Sequence, residues 1–492
     1  MEFVNHTPFP ALAFEGIDQH EQAFHVVVLR QTLTWDAHGK LHYANEQSPL
    51  CEEDTYFGAI NRSAVRQESD LCQYKPRCDV IVNATAHAPG GNAAYRFEVR
   101  LLVKRPDTPV PLPREPQGLN PYMPIDFAEK RAWQKALSES KRQRLPGKIL
   151  IDKTLVVTGE RHFVRHSWPF RLLATFSRWG SLGIVRPNTW RLTTPRPVNT
   201  VPLNNEFAFG GQCRINAGDK AARRVARKHR LQPETQANHP DAAGPAELRP
   251  IAHDAFAANP IGRGYARRWF IEASGCKRLP APQMENPHHP IRIGDFSKAM
   301  NGKFANGAGS HLLAGLGIRP KGHPERARLL GTIDDTFIKS DAWLPEDFDF
   351  AIWNAAWPDQ QVDELQGDEV IELSNLCAPE TLGAQRDAQG NTTLNLVLPG
   401  DECQLLVRLE TGEMFQHPMR LDTLLIEPEE RTCHLVWRAT LAKADEVALR
   451  AVETWLMGDK ERATARHEIE RIKALMSGQS PEKSCREGLL DG

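Results

Sequence analysis

The sequence predicts a mainly β protein of the α+β type, built of packed antiparallel sheets with peripheral helices. Strand-like runs rich in β-branched and aromatic residues recur near both ends of the chain, bounded by Gly, Pro, Asn or Asp. Gly and Pro number 34 and 36 among 492 residues, which disfavours a long helical bundle. Helical patterns do not alternate regularly with strands, so a parallel α/β arrangement is also disfavoured.

Four candidate β-hairpins support this fold class. Each joins two apolar or β-branched runs across a short turn, which is the local signature of an antiparallel strand pair. The four hairpins span residues 24–43, 154–164, 405–415 and 424–437. Their turns are predicted at 36–39, 158–160, 411–412 and 427–429.

Two helices are predicted outside these strands. A capping-box pattern at 126–129 begins a helix whose apolar face would carry Trp133, Ala136 and Leu137. Apolar residues at helical spacing across 445–457 predict that the C-terminal tail is also helical. Such a tail is expected either to fold back onto its own core or to dock on a partner.

Composition divides the chain into four parts. We expect an N-terminal β-rich part (1–105), a Pro-rich connection with a helix (106–150), a β-rich body (151–440) and a helical tail (441–492). Within the body, residues 214–250 begin with a basic cluster and continue into a Pro-, Ala- and Asn-rich stretch. This stretch predicts an irregular insertion with a solvated basic face, and phosphate binding by that face is the alternative.

Charge and cysteine usage exclude several classes of protein. Lys and Arg number 61 against 62 Asp and Glu, so the basic excess of a nucleic-acid binder is missing. Nine cysteines without Cys-x-x-Cys spacing favour reduced thiols over disulfides or a zinc site. The sequence has no basic-then-apolar leader and no apolar run of about 18 residues, so we expect a cytoplasmic protein with no membrane or nucleic-acid partner.

The common signatures of catalysis and cofactor binding are missing from the sequence. It contains no phosphate-binding P-loop, no G-x-S-x-G nucleophile elbow and no H-E-x-x-H zinc motif. Gly and Ala at 307–309 lack the third glycine of a dinucleotide fingerprint. The pairs His162 with His166 and His288 with His289 lack a marked third ligand. We therefore expect no metal, no cofactor and no enzymatic activity.

One carboxylate pair remains as a chemical candidate. Asp347 and Asp349 could act as the acid and base of a hydrolase, because two carboxyl groups with different pKa values can share proton transfer. Asp residues beside Pro and Phe also cap turns through local hydrogen bonds, and the sequence favours this structural interpretation.

The most distinctive feature is a set of short motifs that mix Gly, Pro, Asn and Asp with an aromatic residue. Such mixtures fix unusual turns, because Gly permits positive φ, Pro fixes φ, and Asn or Asp bonds to the nearby backbone. In order, the motifs lie at 5–11, 46–49, 69–80, 86–89, 153–161, 206–211, 259–265, 345–360, 367–376, 422–424 and 435–438.

In kind and in order, these motifs resemble the large effector-adaptor, or chaperone, family of the bacterial type VI secretion system. The resemblance covers about residues 5–438, with departures from the family pattern at Gln73, Asn205 and Phe207. It implies a non-catalytic adaptor in the cytoplasm of a Gram-negative bacterium. Such an adaptor binds a toxin effector, or the PAAR-domain protein that carries it, and helps load it onto the VgrG spike.

The resemblance singles out motif positions without assigning them a role: Lys75, Pro76, Asp79, Gly210, Gly211, Gly262, Arg263, Gly264, Asn354, Asp359 and Gln360. Charged side chains in turn motifs usually satisfy backbone groups, and we expect this for most of them. An adaptor should instead make broad contacts anchored by aromatic residues. The candidate anchors are Trp179, Trp190, Trp353 and Trp357, and a buried core position is the default for each.

Two other functions stay open at this point. One is a β-rich glycan hydrolase that uses Asp347 and Asp349. The other is a structural component of the secretion spike or baseplate.

Overall fold

The computed structural model of the protein describes residues 1–60, 62–114, 127–166, 189–304, 308–443 and 448–458. Strands far outnumber helices in this part of the chain, which confirms the mainly β fold. Thirty strands are found in it. They are β1 Glu2–Asn5, β2 Ala11–Ile17, β3 Ala23–Trp35, β4 Leu41–Tyr43, β5 Thr55–Tyr56, β6 Val65–Gln67, β7 Cys78–Val82, β8 Thr85–His87, β9 Arg96–Lys104, β10 Thr108–Pro109, β11 Arg144–Leu145, β12 Ile149–Thr158, β13 His162–Arg165, β14 Trp190–Leu192, β15 Thr200–Pro202, β16 Phe209–Gly210, β17 Gln212–Asn216, β18 Pro250–Ala255, β19 Arg263–Gly264, β20 Arg278–Pro280, β21 Met284–Glu285, β22 Gln361–Val362, β23 Val370–Ser374, β24 Ala384–Arg386, β25 Thr392–Val397, β26 Cys403–Leu409, β27 Met414–Pro418, β28 Arg420–Glu427, β29 Thr432–Ala442 and β30 Leu449–Leu456.

Six α-helices lie among the described residues, and most are short. They are α1 Phe127–Arg142, α2 Pro233–Ala237, α3 Arg268–Ser274, α4 Ile293–Met300, α5 Pro324–Ala327 and α6 Asp335–Lys339. Short 3₁₀ turns make up most of the remaining helical structure, including Phe350–Trp353 and Pro358–Gln360.

Three sheets form the body. A seven-stranded sheet has the order β2-β3-β29-β28-β7-β22, with β4 added beside β3, and only its β28–β7 pair is parallel. A six-stranded antiparallel sheet has the order β21-β12-β9-β23-β25-β24. A four-stranded sheet has the order β1-β30-β26-β27, in which β1 runs parallel to β30.

One hydrophobic core joins the three sheets. It contains Val27 and Leu29 from β3, Leu101 and Val103 from β9, and Val407 from β26, all with 0% exposure. Burial of each such side chain stabilises the fold by about 1.5–3 kcal/mol. Strand β9 lies between β12 and β23, so strands from the N-terminal part and from the body share one sheet.

Three of the four predicted hairpins are confirmed. Strand β3 pairs with β4, β26 with β27 and β28 with β29, each in antiparallel register across the predicted turn. Strand β3 is longer than predicted and buried on both faces, because β2 and β29 flank it in the sheet.

The hairpin predicted at 154–164 is wrong, although both of its strands exist. Strand β12 pairs with β9 and β21, whereas β13 pairs with β14 and β20. The residues between the two strands form hydrogen bonds with other segments of the chain. The Thr158 amide donates to the Gln283 carbonyl, and the Gly159 amide donates to the Tyr95 carbonyl. Long-range partners therefore override the local turn signal.

The first predicted helix is confirmed and the second is wrong. Helix α1 places the half-buried Trp133, Ala136 and Leu137 among exposed neighbours, and the Trp133 indole donates to the Pro113 carbonyl. Asp126 lies outside the described residues. Residues 449–456, expected to be helical, instead form strand β30 between β1 and β26, where pairing on both sides overrides the helical spacing. The rest of the predicted tail lies outside the described residues.

The insertion at 214–250 is an excursion between two paired strands. Strands β17 and β18 pair with each other, and the residues between them form short 3₁₀ turns and helix α2. The basic residues of this excursion are mostly exposed, as expected for a solvated face. In the described part of the chain, eight cysteines are present and all are free thiols.

Candidate functional site

Asp79 is the centre of a fully buried polar cluster that unites several motif positions. Its carboxylate lies 3.0 Å from Lys75 Nζ and accepts hydrogen bonds from Asn354 Nδ2 and the amides of Ala355 and Ala356. Asn354 also donates to the Arg77 carbonyl at 2.7 Å. These contacts fasten the 350–356 turn to strand β7, so Lys75, Asp79 and Asn354 have a structural role.

The cluster continues through strand β28. Lys75 Nζ donates to Thr423 Oγ1 at 2.7 Å, Thr423 Oγ1 donates to Asp422 Oδ1 at 2.8 Å, and Asp422 pairs with Arg438. Burial alone would lower the pKa of Lys75, but the charges of Asp79 and Asp422 raise it above its ordinary value. We call this set of buried, mutually bonded side chains, which includes Lys75, Asp79, Asp422 and Arg438, the polar frame. Lys75 is therefore a permanently charged part of the frame rather than a proton donor.

Pro76 and Gln360 also make hydrogen bonds next to this frame. The Pro76 carbonyl accepts a hydrogen bond from Arg420 Nη2 at 2.8 Å. The fully buried Gln360 amide donates to the carbonyls of Val80 and Leu316, both at 2.8 Å. The Pro76 carbonyl therefore satisfies a guanidinium donor, and the Gln360 side chain satisfies two backbone carbonyls, as expected for turn motifs.

The four glycine motif positions form a close crossing of two chain segments. Strands β16 and β19 pair in parallel, and Gly210, Gly211 and Gly264 have φ of 150°, 120° and 100°. A Cβ on Gly210 would lie 2.1 Å from the Asn259 carbonyl oxygen, and one on Gly262 would lie 2.5 Å from Asn259 Nδ2. Only glycine permits this approach.

Arg263 is stacked rather than exposed at this crossing. Its guanidinium lies 4.1 Å from the Phe207 ring centroid and donates to Gln283 Oε1 at 2.7 Å. Burial lowers the pKa of Arg263. The stacking and the hydrogen bond hold β19 against the turn that contains Phe207.

Asp359 lies apart from the buried cluster, in a cleft of about 550 Å³. Its carboxylate, 62% exposed, lies 2.7 Å from Lys153 Nζ, which also donates to Gln360 Oε1 at 2.9 Å. Burial lowers the pKa of Lys153 to about 8, since the exposed Asp359 compensates the buried charge only in part. The Lys153 ammonium also lies 5.3 Å from the Trp357 ring centroid.

The cleft has a buried cationic side and an exposed mixed rim. Its buried polar and aromatic members are Lys153, Arg319, His323 and Trp357, beside the buried apolar Leu155, Leu313 and Ala314. Its exposed rim includes His289, His311, Glu325 and Asp359. The sequence analysis did not single out Arg319 or His323 as site residues. The only signal was the Gly-Ile-Arg-Pro turn at 317–320, which places an arginine at a bend without showing that it is buried.

Asp347 and Asp349 are both used locally. Asp347 accepts hydrogen bonds from the amide and hydroxyl of Thr332, at 2.7 and 2.8 Å, and these bonds lower its pKa. Asp349 caps the 350–353 turn by accepting from the Ala351 amide at 2.8 Å. The Asp349 contact matches the capping interpretation, whereas Asp347 bonds to a residue 15 positions away in the chain.

The candidate aromatic anchors are mostly internal. Trp190 and Trp357 are buried, Trp353 is half-buried, and Trp179 lies outside the described residues. The most exposed tryptophan among the described residues is Trp343, at 75%. Its exposure could not be predicted from the sequence, because a single Trp beside Leu and Pro fits a core as well as a surface.

Trp343 belongs to a segment that leaves several large apolar side chains in water. We call its four such residues the Trp343 surface: Leu330, Ile333, Ile338 and Trp343, which are 44%, 59%, 69% and 75% exposed. Helix α6 carries Ile338, and Asp334 caps this helix by accepting hydrogen bonds from the Thr336 and Phe337 amides. The cap fixes the direction of the helix and hence the position of Ile338.

The described ranges contain neither a metal-binding cluster nor a membrane-spanning helix. No group of three or more His, Cys, Asp or Glu side chains there could hold a metal ion. Within the same ranges, every helix is too short or too polar to cross a lipid bilayer.

The fold and these contacts define a mainly β protein whose sequence motifs form a buried polar frame beside a cationic cleft. Residues 20–112 and 142–438, about four fifths of the chain, match the family described as an uncharacterized protein conserved in bacteria (DUF2169). The chain belongs to this family. No curated protein and no solved structure matches the chain.

Proposed function

We propose that this protein is a non-catalytic adaptor of a type VI secretion system. It would bind a toxin effector or its PAAR-domain carrier in the cytoplasm and help load it onto the VgrG spike. The ordered motif set supports the proposal through the family resemblance. The roles of those motifs support it physically, because Lys75, Asp79 and Asn354 hold turns together through buried hydrogen bonds.

The observation that carries the proposal is the Trp343 surface. Burying each of its four side chains against a partner would contribute about 1.5–3 kcal/mol before the cost of association. Exposed tryptophan is also the residue type most enriched at binding hot spots. The exposed Asp335 and Asp341 belong to the same chain segment, so the partner we propose offers basic side chains together with apolar ones.

The local bonds of Asp347 and Asp349 favour an adaptor over a glycan hydrolase. A hydrolase needs one carboxyl group free to act on the glycosidic oxygen and another free to act on water or on the sugar. Here Asp347 bonds to Thr332 and Asp349 to the Ala351 amide. A spike or baseplate component has no feature of the structure in its favour.

A capture experiment tests the adaptor proposal. The full chain, tagged, is co-expressed with the PAAR-domain protein, toxin and VgrG of its source bacterium, and bound proteins are identified. We expect capture of the PAAR protein or toxin, and loss of at least about 2 kcal/mol of binding free energy in the double variant Ile338→Ser with Trp343→Ser. The matched control, Tyr95→Ser with Leu248→Ser, removes two large side chains that are 63% and 54% exposed elsewhere on the protein, and should bind normally.

Two outcomes would count against the proposal. A wild-type chain that captures none of these proteins would contradict the adaptor function itself. Capture that survives in the double variant would instead contradict the assignment to the Trp343 surface. Recovery of the chain in the sheared extracellular fraction would favour a spike component.

A further inference from the structure

Arg319 is a buried cation without adequate compensation. The residue is 5% exposed, yet the buried Nε of its guanidinium has no hydrogen-bond partner among the described residues. Its nearest carboxylate is Glu325, whose oxygen lies 3.8 Å from Nη1 and whose side chain is 64% exposed. A buried guanidinium with unused donors is costly, so an arrangement of this kind indicates that an acceptor is supplied from outside the chain.

The backbone of Arg319 is fixed, which keeps the side chain at the cleft. Its amide donates to the Ala355 carbonyl at 2.8 Å, and its carbonyl accepts from Arg326 Nη1 at 2.8 Å. The Glu68 carboxylate pairs with Arg326 through both of its oxygens and makes no ion pair with Arg319. Burial, and to a lesser extent the charge of Arg326, lowers the pKa of Arg319.

Other buried nitrogen atoms without a partner belong to residues that line the same cleft. His323 is 3% exposed and its Nδ1 has no partner among the described residues, and the same holds for Nε1 of Trp357. Lys153 contributes a second buried cation, and His289 and His311 stand at the rim with ring centroids 5.3 Å apart. Several cationic or donor groups from distant parts of the chain thus converge on one cavity.

We propose that this cleft binds the phosphate group of a small-molecule ligand, with Arg319 and Lys153 as its main contacts. A guanidinium offers paired donors that match phosphate oxygens, and an ammonium adds a compact charge. Phosphate offers more acceptor oxygens than carboxylate and so suits a site with this many donors. A volume of about 550 Å³ lies in the range of small-molecule pockets, which favours a metabolite over a polypeptide segment.

The acidic rim residues are compatible with an anionic ligand. Glu325 pairs loosely with Arg319, and Asp359 pairs directly with Lys153. Both carboxylates are mostly exposed to water. Exchanging them for phosphate oxygens therefore costs little desolvation. This makes Glu325 a competitor of the ligand, and its charge should weaken binding.

Calorimetric titration of the full chain tests the proposal. The probes are inorganic phosphate, ribose 5-phosphate, acetate and a phosphoserine peptide. We expect phosphate to bind, ribose 5-phosphate to bind more tightly, and acetate to bind at least about tenfold more weakly than phosphate. No binding of either phosphate compound would overturn the proposal, equal binding of acetate would overturn the preference for phosphate, and tighter binding of the peptide would overturn the small-molecule assignment.

Variants locate the site. Arg319→Gln should weaken ribose 5-phosphate binding by at least about tenfold, whereas Glu325→Gln should strengthen it. Arg223→Gln, at an exposed position of the 214–250 insertion, is the matched control and should leave binding unchanged. Because Glu325 is largely exposed, its variant tests the proposal even if Arg319→Gln does not fold. Unchanged affinity in Glu325→Gln and in a folded Arg319→Gln would place the phosphate elsewhere. The adaptor function does not depend on either result.

Discussion

Lys75 Nζ lies 3.0 Å from Asp79 Oδ2 in an environment that excludes water from both side chains. Lys153 makes a similar contact with Asp359 at 2.7 Å, but Asp359 is largely exposed. The two lysines therefore shift in opposite directions: the pKa of Lys75 rises, and that of Lys153 falls to about 8. The burial of the carboxylate decides whether a buried lysine belongs to the frame or to the cleft.

Asp79→Asn should destabilise the protein strongly. The substitution leaves Lys75 buried beside a neutral amide, and removing one partner of a buried ion pair costs about 3–5 kcal/mol. Chemical denaturation measures this loss. The control Asp152→Asn breaks the half-exposed pair with Arg100, at 2.7 Å, and should cost about 0–1 kcal/mol. Equal losses in the two variants would contradict the special role of the buried pair.

Gly210→Ala should also destabilise the protein, for a steric reason. The new Cβ would lie 2.1 Å from the Asn259 carbonyl oxygen at a φ of 150°, so the loss should be at least about 1–3 kcal/mol. Gly294→Ala offers an informative contrast. Gly294 lies in helix α4 with open space around it, so alanine there should stabilise by about 0.5–1 kcal/mol. Thermal unfolding of both variants distinguishes strain from a general effect of losing a glycine.

The titration of Lys153 should make stability depend on pH above neutrality. In the fold its pKa is about 8, against 10.5 for an unperturbed lysine, so between these values the unfolded chain binds the extra proton. The free energy of unfolding should therefore rise with pH across this window, by about 3 kcal/mol for this group. The groups that face its ammonium are Asp359, Gln360 and the Trp357 ring.

Comparison with Lys153→Met isolates this contribution, because other groups titrate in the same range. The wild-type chain should gain stability relative to the variant as pH rises from about 8 to 10.5. Lys298→Met, which removes a half-exposed lysine paired with Asp295, should keep the pH slope of the wild type. A constant difference between the wild type and Lys153→Met across this range would contradict the lowered pKa.

Local sequence signals predicted strands well and their partners less well. Hairpins with adjacent strands, such as β26 with β27, follow from alternating apolar residues around a Gly-containing turn. The pairing of β12 with β9 depends on residues far apart in the chain, and no local pattern specifies it. Strand β30 was mistaken for a helix for the same reason, because its two partners supply the hydrogen bonds that decide its conformation.

The candidate site was predictable from the sequence only where the residue types of a motif themselves determine the local backbone conformation. Positive φ at Gly210 and Gly264 accords with the turn-forming composition of those motifs. The burial of Arg319 and the exposure of Trp343 depend on which surfaces the fold leaves open, and the identities of the residues do not encode this. Sequence therefore indicated the frame and missed both the cleft and the Trp343 surface.

The N-terminal motif yields a last prediction, because it ties the two ends of the described chain together. Asn5 Nδ2 donates to the Phe9 carbonyl at 2.6 Å, and Asn5 Oδ1 accepts from the Thr7 amide and from the hydroxyl of Thr454 in β30. Asn5→Ala removes all of these bonds and leaves the Thr454 hydroxyl, which is fully buried, without this acceptor. We expect a loss of about 1–3 kcal/mol, and faster amide exchange in β1 and β30 than in β3.

The control Asn92→Ala changes the same residue type at an exposed position and should leave stability within about 0.5 kcal/mol of the wild type. Hydrogen exchange localises the effect: if β1 and β30 keep wild-type protection in Asn5→Ala, the motif does not fasten them. Faster exchange confined to those strands would instead show that the side chain of Asn5 and the turn that ends at Phe9 hold β1 against β30. Strand β1 is an edge strand of the four-stranded sheet and runs parallel to its neighbour β30. The side-chain hydrogen bonds of Asn5 therefore supply attachment that a second neighbouring strand would otherwise give.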